Sequence, residues 1–232
     1  MTNSELSSTL NAAEEFVKEY MSKYDPSHDW FHVDRVRRQA LKIAKEEIKR
    51  RPVDLEIVEY AALFHDIGDA KYIIAGSKTA RETVLEFFKE HQFDSAKAEL
   101  ITNIIENVSY RKELAAVPDP WRDNCIELHI VQDADKLDAM GAFGILRCAA
   151  FSGAKGRALY NPEEKPIENM TKEQYDAQSK AGHGTAISHF HEKLFHLKDR
   201  IKTETGKIMA TSRHNYMIEF VQTIEKEYSM DI

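Results

Sequence analysis

The chain has 232 residues, of which 42% are apolar and 31% charged, and its formal net charge is −7. This composition is typical of a globular protein and excludes an intrinsically disordered chain. The acidic balance argues against nucleic-acid binding as the main function, because duplex binding depends on a basic surface, so we expect no stable nucleic-acid partner.

Cysteine usage and the absence of long apolar runs indicate the cellular setting. Cys125 and Cys148 form no CxxC pair, so the sequence predicts neither a disulfide framework nor a zinc knuckle. No segment approaches the roughly 18 consecutive apolar residues of a membrane span. The first residues lack a positive region followed by an apolar run, so we expect no secretory signal. Together these features predict a cytoplasmic protein.

Apolar residues recur at helical spacing along most of the chain and predict an all-α fold. Val53, Ile57, Ala61 and Phe64, for example, form one row of a wide apolar face. Strand-like alternation is hard to find, and hairpin signals such as Asn-Gly are absent. We predict one helical bundle covering residues 1–232, with helices at about 4–22, 30–51, 54–67, 77–91, 94–109, 122–150, 182–202 and 204–228.

Residues 153–181 are the exception to the short connections between these helices. The segment GAKGRALYNPEEKPIENMTKEQYDAQSKA is mostly polar, contains two prolines and has little periodicity. Long loops of this kind are often lids or binding loops. The alternative is a solvent-exposed loop without a function. The sequence leaves both interpretations open.

The first segment with metal-binding residue types is SHDWFHVDRVRRQA. Here His28 and His32 lie one helical turn apart, and Arg35 follows three residues later on the same side. A lone histidine on a helix is more often a hydrogen-bonded core or surface residue than a ligand. The segment therefore indicates a metal site only in combination with others.

The second segment, AALFHDIGDAKY, ends an apolar helix with polar residues. His65 and Asp66 are adjacent, and Asp69 comes three residues later. An apolar helix could have continued with leucine or isoleucine, whereas these groups are costly to bury without partners. The segment therefore favours a bound cation at the end of this helix.

The third segment, HIVQDADKLDAMGAFGILR, contains acidic residues within an apolar pattern. Asp135 and Asp138 share the inward row, with spacings of three and four, and Asp133 lies on a neighbouring row. A buried carboxylate needs a cation, a metal or hydrogen-bond donors, although an aspartate can also cap an adjacent helix. Spacing alone does not select one of the three acids. A fourth segment, SHFHEKLFHLKDR, groups His189, His191 and His196 with basic residues.

The order of these residues along the chain favours a metal site. A histidine is followed by an adjacent His-Asp pair and then by an aspartate on a third helix. This mixed set of imidazole and carboxylate ligands suits a divalent ion such as Mn²⁺, Fe²⁺ or Mg²⁺.

In this order the motifs resemble those of the HD-domain metal-dependent phosphohydrolases, whose signature is H…HD…D on a helical bundle. The similarity includes the stand-alone YedJ/YpgQ-like subgroup, described as nucleotide pyrophosphohydrolases, and extends over about residues 10–228. It rests on the segments SHDWFHVDRV, ALFHDIGDAKY, VQDADKLDAMGAFGILR, ENMTKEQY, HFHEKLFHLKD and RHNYMIEFV.

The resemblance implies a role for each matching residue. His32, His65, Asp66 and Asp135 would hold one divalent metal ion, for which we favour Mn²⁺ over Mg²⁺, Fe²⁺, Co²⁺ or Ni²⁺. Asp69 would position or deprotonate the attacking water. On weaker grounds, Asp138 would be the partner of a ligand imidazole.

A polyphosphate substrate needs more positive charge than one divalent ion supplies. Arg35 is the best candidate, because arginine can hold phosphate oxygens in a bidentate fork. Further candidates are Arg147, Lys193 and Arg213. The alternative for these three is that they lie on a solvent-exposed helix face and do not bind substrate. Aromatic residues that could stack on a base, or pack in the core instead, are Trp30, Phe31, Tyr72, Tyr110 and Phe190.

Two-metal members of this family have two further histidines between the HD pair and the final aspartate. His91 and His129 lie in that interval. His91 lies in an expected helix-to-helix turn and His129 next to an apolar row, so neither context resembles the two-metal pattern. We therefore predict a single metal ion.

The resulting prediction is a hydrolase that cleaves nucleoside triphosphates, preferably deoxynucleotides, to a monophosphate and pyrophosphate. Alternatives on the same scaffold are a phosphomonoesterase or phosphodiesterase acting on a nucleotide. A di-iron oxygenase and a non-catalytic nucleotide-binding protein are more distant alternatives. In each hydrolase the partner is a small phosphorylated molecule.

Overall fold

The computed structural model describes residues 3–68, 78–114, 117–167, 174 and 184–231. This part of the chain is mostly helical and contains no strand, which confirms the predicted all-α class. None of its helices is both long enough and apolar enough to cross a membrane. The helices are α1 (Asn3–Met21), α2 (Trp30–Glu47), α3 (Leu55–Phe64), α4 (Ala80–Glu90), α5 (Ser95–Val108), α6 (Tyr110–Leu114), α7 (Pro120–Asn124), α8 (Ile126–Asp138), α9 (Gly141–Ala154), α10 (Ala186–Glu192), a 3-10 helix (Leu194–Arg200) and α11 (Glu204–Ser229).

The chain groups into two compact units. The first contains Met1–Tyr24 and His28–Ala134, and the second contains Asp25–Ser27 and Asp135–Ile232. That residues 1–232 form a single domain stays a prediction.

Helix α3 lies at the centre of the first unit. It begins at an N-cap, Asp54, whose side chain accepts hydrogen bonds from the backbone N–H groups of Glu56 (3.0 Å) and Ile57 (3.2 Å). Every residue from Tyr60 to Phe64 is buried, and the helix packs against α1, α2 and α5. A helix enclosed on most sides has to be mainly apolar, and Glu56 and Glu59 are the only charged residues of α3.

Aromatic rings and one arginine connect the helices around α3. Phe64 lies 6.1 Å from Phe16 of α1 and 5.2 Å from Phe87 of α4, measured between ring centroids. Arg37 of α2 donates to Glu14 of α1 at 2.6 Å and to Glu59 of α3 at 2.5 Å. These contacts hold α2 and α3, the two helices that bear the histidines of interest, in a defined arrangement.

In the second unit, α11 packs against α9 and the 3-10 helix. It begins at Thr203, whose hydroxyl accepts a hydrogen bond from the N–H of Gly206 at 3.1 Å. Phe190 of α10 is buried and contacts Phe195 and Phe220, with ring centroids 5.9 and 6.0 Å apart. Phe190 is therefore a core residue rather than a stacking surface for a base.

The prediction of one helix over residues 122–150 is wrong, because this region forms α7, α8 and α9. Cys125 is extended (φ −76°, ψ 101°) between α7 and α8. Between α8 and α9, Met140 is extended (φ −120°, ψ 159°) and Gly141 has φ +68°. A positive φ is readily adopted only by glycine, so Gly141 was a signal in the sequence for this break.

The predicted helix at 182–202 is also wrong in its described part. Lys193 has φ −141° and ψ −55°, which ends α10, and Leu194–Arg200 is a 3-10 helix. In the predicted long loop, residues 153 and 154 belong to α9, and residues 155–167 form turns and irregular backbone. Residues 168–173 and 175–183 lie outside the described residues, so a lid in this region stays a prediction.

Candidate metal centre

His32 is placed by the beginning of α2. The side chain of Asp29 caps this helix and accepts a hydrogen bond from the backbone N–H of His32 at 2.9 Å. His32 itself is completely buried, on the face that also includes Val33 and Val36. A polar side chain in such a position needs a partner.

His65 is the C-cap of α3, and a backbone contact determines its tautomer. Its Nδ1 atom lies 2.8 Å from the carbonyl oxygen of Ala62. A carbonyl only accepts hydrogen bonds, so Nδ1 donates the proton and Nε2 presents a lone pair. Metal-binding histidines commonly have one ring nitrogen held in this way by a carbonyl or a carboxylate.

The turn after His65 requires glycine. Gly68 has φ +73°, and a Cβ at this position would lie 2.7 Å from the Cβ of Ala80. The N–H of Gly68 donates to the hydroxyl of Tyr20 at 3.2 Å. The turn that follows Asp66 is therefore held in place by α1 and α4.

His32, His65 and Asp66 converge on one point. The two Nε2 atoms lie 3.2 Å apart, and Asp66 Oδ2 lies 3.2 Å from His32 Nε2. Asp66 Oδ1 lies 3.5 Å from His65 Nε2. These spacings are close to the separation of about 3 Å expected between neighbouring ligands of a divalent ion with bonds of roughly 2.1 Å. The three side chains therefore fit a metal ion.

The electrostatics of Asp66 agree with this arrangement. Burial raises the pKa of its carboxyl group, but the positive charge that His65, His32 and His28 carry when protonated, together with a hydrogen bond from His32, outweighs it. The pKa of Asp66 is held well below its usual value, so the group is a carboxylate at neutral pH. It can therefore bind a cation without first losing a proton.

The three acids of the third segment lie on α8. Asp133 and Asp138 are buried, and Asp135 is half-buried. Asp135 belongs to the second unit, whereas the other predicted ligands belong to the first. Its role as the fourth ligand stays a prediction.

Asp138 has an arginine partner. Arg147 Nη1 lies 3.4 Å from Asp138 Oδ2, and Arg147 Nε donates to the carbonyl oxygen of Ser27 at 2.7 Å. Much of the hydrogen-bonding capacity of Arg147 is therefore used within the protein, and binding phosphate would require it to exchange partners. The predicted contact of Asp138 with a ligand imidazole stays a prediction.

The other substrate candidates lie in different settings. Arg35 is half-buried on α2, one turn beyond His32. Lys193 lies at the end of α10, and Arg213 of α11 donates through Nη1 to the carbonyl oxygen of Leu137. Arg35 thus shares a helix with one of the candidate ligands, and the structure gives Arg213 a packing role. Asp69 and Tyr72 lie outside the described residues.

The two additional histidines make other contacts. His91 Nδ1 lies 2.9 Å from the carbonyl oxygen of Phe87, and its ring stacks on that of Phe87 at 4.2 Å. His129 Nε2 lies 2.8 Å from the carbonyl oxygen of Arg122. Among the described residues, neither belongs to the His32, His65 and Asp66 group.

His28 is a residue to which sequence reasoning assigned no role. Its ring lies 5.8 Å from that of His32 in an edge-to-face arrangement, and it contributes to the low pKa of Asp66. The four-residue spacing from His32 was the signal in the sequence.

Comparisons with known proteins agree with this centre. The HD domain family model matches residues 30–140, which include His32, His65, Asp66 and Asp135. The Bacillus subtilis protein YpgQ is 35% identical over 215 residues, covering 91% of this chain and 90% of YpgQ. The chain belongs to the HD-domain superfamily of metal-dependent phosphohydrolases.

Solved structures extend the similarity over nearly the whole chain. A crystal structure of a Lactobacillus plantarum protein has a TM-score of 0.76 and 32% identity, covering 99% of both chains. An HD-superfamily hydrolase from Bacillus thuringiensis has a TM-score of 0.70 and 31% identity, covering 97% of this chain and 98% of that one. The structure of YpgQ in complex with ADP has a TM-score of 0.71 and 30% identity, covering 94% of this chain and 97% of YpgQ.

Proposed function

We propose that this HD-domain enzyme is a nucleotide pyrophosphohydrolase, which cleaves nucleoside triphosphates to a monophosphate and pyrophosphate and prefers deoxynucleotides. The observation that supports it most directly is the convergence of His32, His65 and Asp66 with ligand-like spacings. The similarity to YpgQ, which has been crystallised with ADP, supports a nucleotide as the substrate. A cytoplasmic location remains part of the proposal.

One divalent ion, Mn²⁺ in our proposal, would be held by His32, His65, Asp66 and Asp135. When bound, such an ion supplies polarisation of a phosphoryl oxygen and makes nearby water more acidic. The contacts of His91 and His129 with backbone carbonyls support one ion rather than two.

The remaining steps would be performed by side chains of the protein. Asp69, three residues after Asp66, would orient the attacking water and accept its proton. Arg35 would hold phosphate oxygens next to His32 and offset the charge that develops during cleavage. Burial of His32 would exclude bulk water from that side of the site.

Product analysis with Mn²⁺-loaded protein and each deoxynucleoside triphosphate tests the proposal. We expect equal amounts of monophosphate and pyrophosphate. Release of orthophosphate alone would instead indicate a phosphomonoesterase, and absence of turnover with every nucleotide would contradict the proposal. Elemental analysis gives the number of ions, and two irons per chain would favour an oxygenase.

Two aspartate variants separate metal binding from catalysis. Asp66→Asn is expected to lose both Mn²⁺ binding, measured by calorimetry, and turnover. Asp69→Asn is expected to keep Mn²⁺ binding but lose turnover by about a hundredfold or more, because general-base assistance is removed. Full activity of the Asp69 variant would disprove its proposed role.

A further inference from the structure

His28 lies at the edge of the candidate metal centre without belonging to its ligand group. The ring of His32 contacts two other imidazoles edge to face, that of His65 at 5.1 Å and that of His28 at 5.8 Å between ring centroids. The candidate ligand atoms lie within 4.8 Å of one another, and among the described residues His28 is not a member of their group. Its imidazole therefore lies close to the centre and leaves metal binding to the other side chains.

The His28 side chain also acts on the centre electrostatically. Burial raises the pKa of the Asp66 carboxyl, and the positive charge of a protonated His28 is among the influences that lower it, so the ring lies within electrostatic range of this carboxylate. His32 is completely buried and His65 is 7% exposed, whereas His28 is half-buried. Of the three imidazoles, that of His28 is therefore the most accessible to a molecule that arrives from solvent.

The backbone on both sides of His28 is held by side-chain hydrogen bonds. The N–H and the hydroxyl of Ser27 donate to Asp25 Oδ1 at 2.9 and 2.5 Å, and Ser27 is 1% exposed. On the other side, Asp29 accepts a hydrogen bond from the backbone N–H of His32 at 2.9 Å. A residue between two such turns has a defined backbone position, which limits the orientations of its side chain.

A polyphosphate bound in this centre needs hydrogen-bond donors in addition to the metal ion. A nucleoside triphosphate carries several negative charges, whereas the Asp66 carboxylate already neutralises part of the charge of a divalent ion. N–H groups directed at phosphate oxygens supply the remaining stabilisation. A neutral imidazole carries one N–H donor, whichever ring nitrogen is protonated. His28 can therefore donate such a hydrogen bond without a change in its protonation state.

We propose that His28 contacts the substrate directly and donates a ring N–H hydrogen bond to a non-bridging oxygen of the phosphoryl group in the metal centre. The inference rests on the proposed function in one respect, that the molecule bound there is phosphorylated. The hydrogen bond strengthens as negative charge develops on the phosphoryl oxygens during cleavage, so it contributes to turnover as well as to binding.

Binding of inorganic pyrophosphate to the Mn²⁺-loaded protein tests this contact without requiring turnover. His28→Phe keeps an aromatic ring beside His32 but removes the donor, and we expect it to weaken pyrophosphate binding by about tenfold or more, measured by calorimetry. Glutamine and asparagine place an amide N–H near the positions of Nε2 and Nδ1, respectively. One of the variants His28→Gln and His28→Asn is therefore expected to bind pyrophosphate more tightly than His28→Phe.

Mn²⁺ binding without phosphate separates this role from a structural one. His28→Phe is expected to bind Mn²⁺ with the affinity of the wild type and to unfold at the same temperature, because His28 is outside the ligand group. His91→Phe is the matched control, since His91 is also half-buried, contacts an aromatic ring at 4.2 Å and lies outside that group. It should bind both Mn²⁺ and pyrophosphate like the wild type.

Kinetics with a deoxynucleoside triphosphate measure the contribution of the hydrogen bond to turnover. His28→Phe is expected to lower kcat/KM by about ten- to a hundredfold, with a fall in kcat as well as a rise in KM. A rise in KM with unchanged kcat would contradict a hydrogen bond that strengthens during cleavage.

Other results would overturn the contact itself. Loss of Mn²⁺ binding in His28→Phe would mean that His28 is a ligand or supports the ligands. Unchanged pyrophosphate binding in His28→Phe would contradict the hydrogen bond, as would a wild type that does not bind pyrophosphate. The proposed function fails separately: if pyrophosphate binding depends on His28 but no nucleotide is cleaved, the phosphate contact is supported and the activity is not.

Discussion

At His65, a single backbone contact determines which ring nitrogen can bind a metal. The Ala62 carbonyl oxygen holds the proton on Nδ1, and the lone pair of Nε2 is directed towards His32 and Asp66. This preorganisation lowers the cost of binding, because the imidazole need not rotate or exchange tautomers when the ion arrives. The amide of Gly68 and the hydroxyl of Tyr20 hold the following turn in a similar way.

Two tyrosines of the first unit should respond in opposite ways to replacement by phenylalanine. Tyr60 is 2% exposed, and its hydroxyl makes no hydrogen bond to any described residue. Tyr60→Phe removes a buried polar atom, so we expect the free energy of unfolding to rise by about 1 kcal/mol. The Tyr20 hydroxyl accepts a hydrogen bond from the N–H of Gly68, so Tyr20→Phe should lower the free energy of unfolding by a similar amount.

Urea denaturation of both tyrosine variants measures this difference. The midpoint should rise for Tyr60→Phe and fall for Tyr20→Phe, with unchanged slopes. A fall for Tyr60→Phe would mean that its hydroxyl has a partner, such as a buried water molecule.

At the scale of secondary structure, the beginning of α9 shows why the helical pattern breaks between α8 and α9. Gly141 adopts a positive φ, and the Arg213 side chain lies 3.0 Å from where its Cβ would be. A Cβ at Gly144 would lie 2.3 Å from the backbone oxygen of Ala139. The chain can turn from α8 into α9 only because glycine occupies both positions.

Alanine substitutions within α9 test this account. Gly144→Ala is expected to lower the free energy of unfolding by roughly 2 kcal/mol or more, because the backbone at Ala139 has to move. Gly153→Ala is the control, since its Cβ meets no atom within 4 Å. It should be neutral or stabilising by up to about 1 kcal/mol. Equal effects of the two changes, measured by thermal unfolding, would contradict the close contact at Gly144.

The cap of α3 predicts a pH-dependent contribution to stability. Burial raises the pKa of Asp54, but the Lys97 ammonium and the amides of Ile57 and Glu56 outweigh it, so the pKa lies below its usual value. A lowered pKa in the folded state means that the charged form stabilises the fold. This contribution is fully present above the unfolded pKa of about 3.9 and is lost as the pH falls through the folded value.

Asp54→Ala should therefore lower the free energy of unfolding by about 1 kcal/mol at neutral pH. The difference from the wild type should shrink as the pH falls below about 4. Asp54→Asn keeps the cap acceptor without the charge, so its loss at neutral pH should be smaller than that of Asp54→Ala. Its difference from the wild type should also shrink as the pH falls, because only the wild type loses a charge there. Denaturation at several pH values measures both, and a constant deficit for Asp54→Ala would show that the charge makes no contribution.

At the scale of the whole molecule, each compact unit contains one buried cysteine. Cys125 lies in the first unit and Cys148 in the second. Burial raises the pKa of both thiols, in Cys148 to about 11, where Lys193 opposes the effect. At pH 8, a thiol with a pKa of 11 is ionised to about one part in a thousand, and only the thiolate is an effective nucleophile.

We therefore expect both thiols to be unreactive towards a disulfide reagent at pH 8 until the protein unfolds. The single variants Cys125→Ala and Cys148→Ala allow the remaining thiol to be followed separately. If residues 1–232 form one cooperative domain, both thiols should become reactive over the same range of denaturant concentration. Separate ranges would contradict a single domain, and rapid reaction without denaturant would contradict the burial of that cysteine.

The sequence by itself determined the helical class and the chemical types of the candidate ligands. Both are local properties: apolar spacing defines helix faces, and the adjacent pair His65 and Asp66 at the end of an apolar helix indicates an unusual site. Helix ends were less predictable. The break at Gly141 had a signal in the sequence, whereas the one at Lys193 depends on packing in the second unit.

Only the tertiary structure decided that His32 and His65, 33 residues apart in the chain, place their Nε2 atoms 3.2 Å from each other. It also determined the tautomer of His65 and the engagement of Arg147 with Ser27 and Asp138. The physical reason is that helical periodicity specifies which side of a helix a residue occupies, but not which side chain from another helix meets it. That depends on how the apolar faces of α2 and α3 pack, which is a property of the folded molecule.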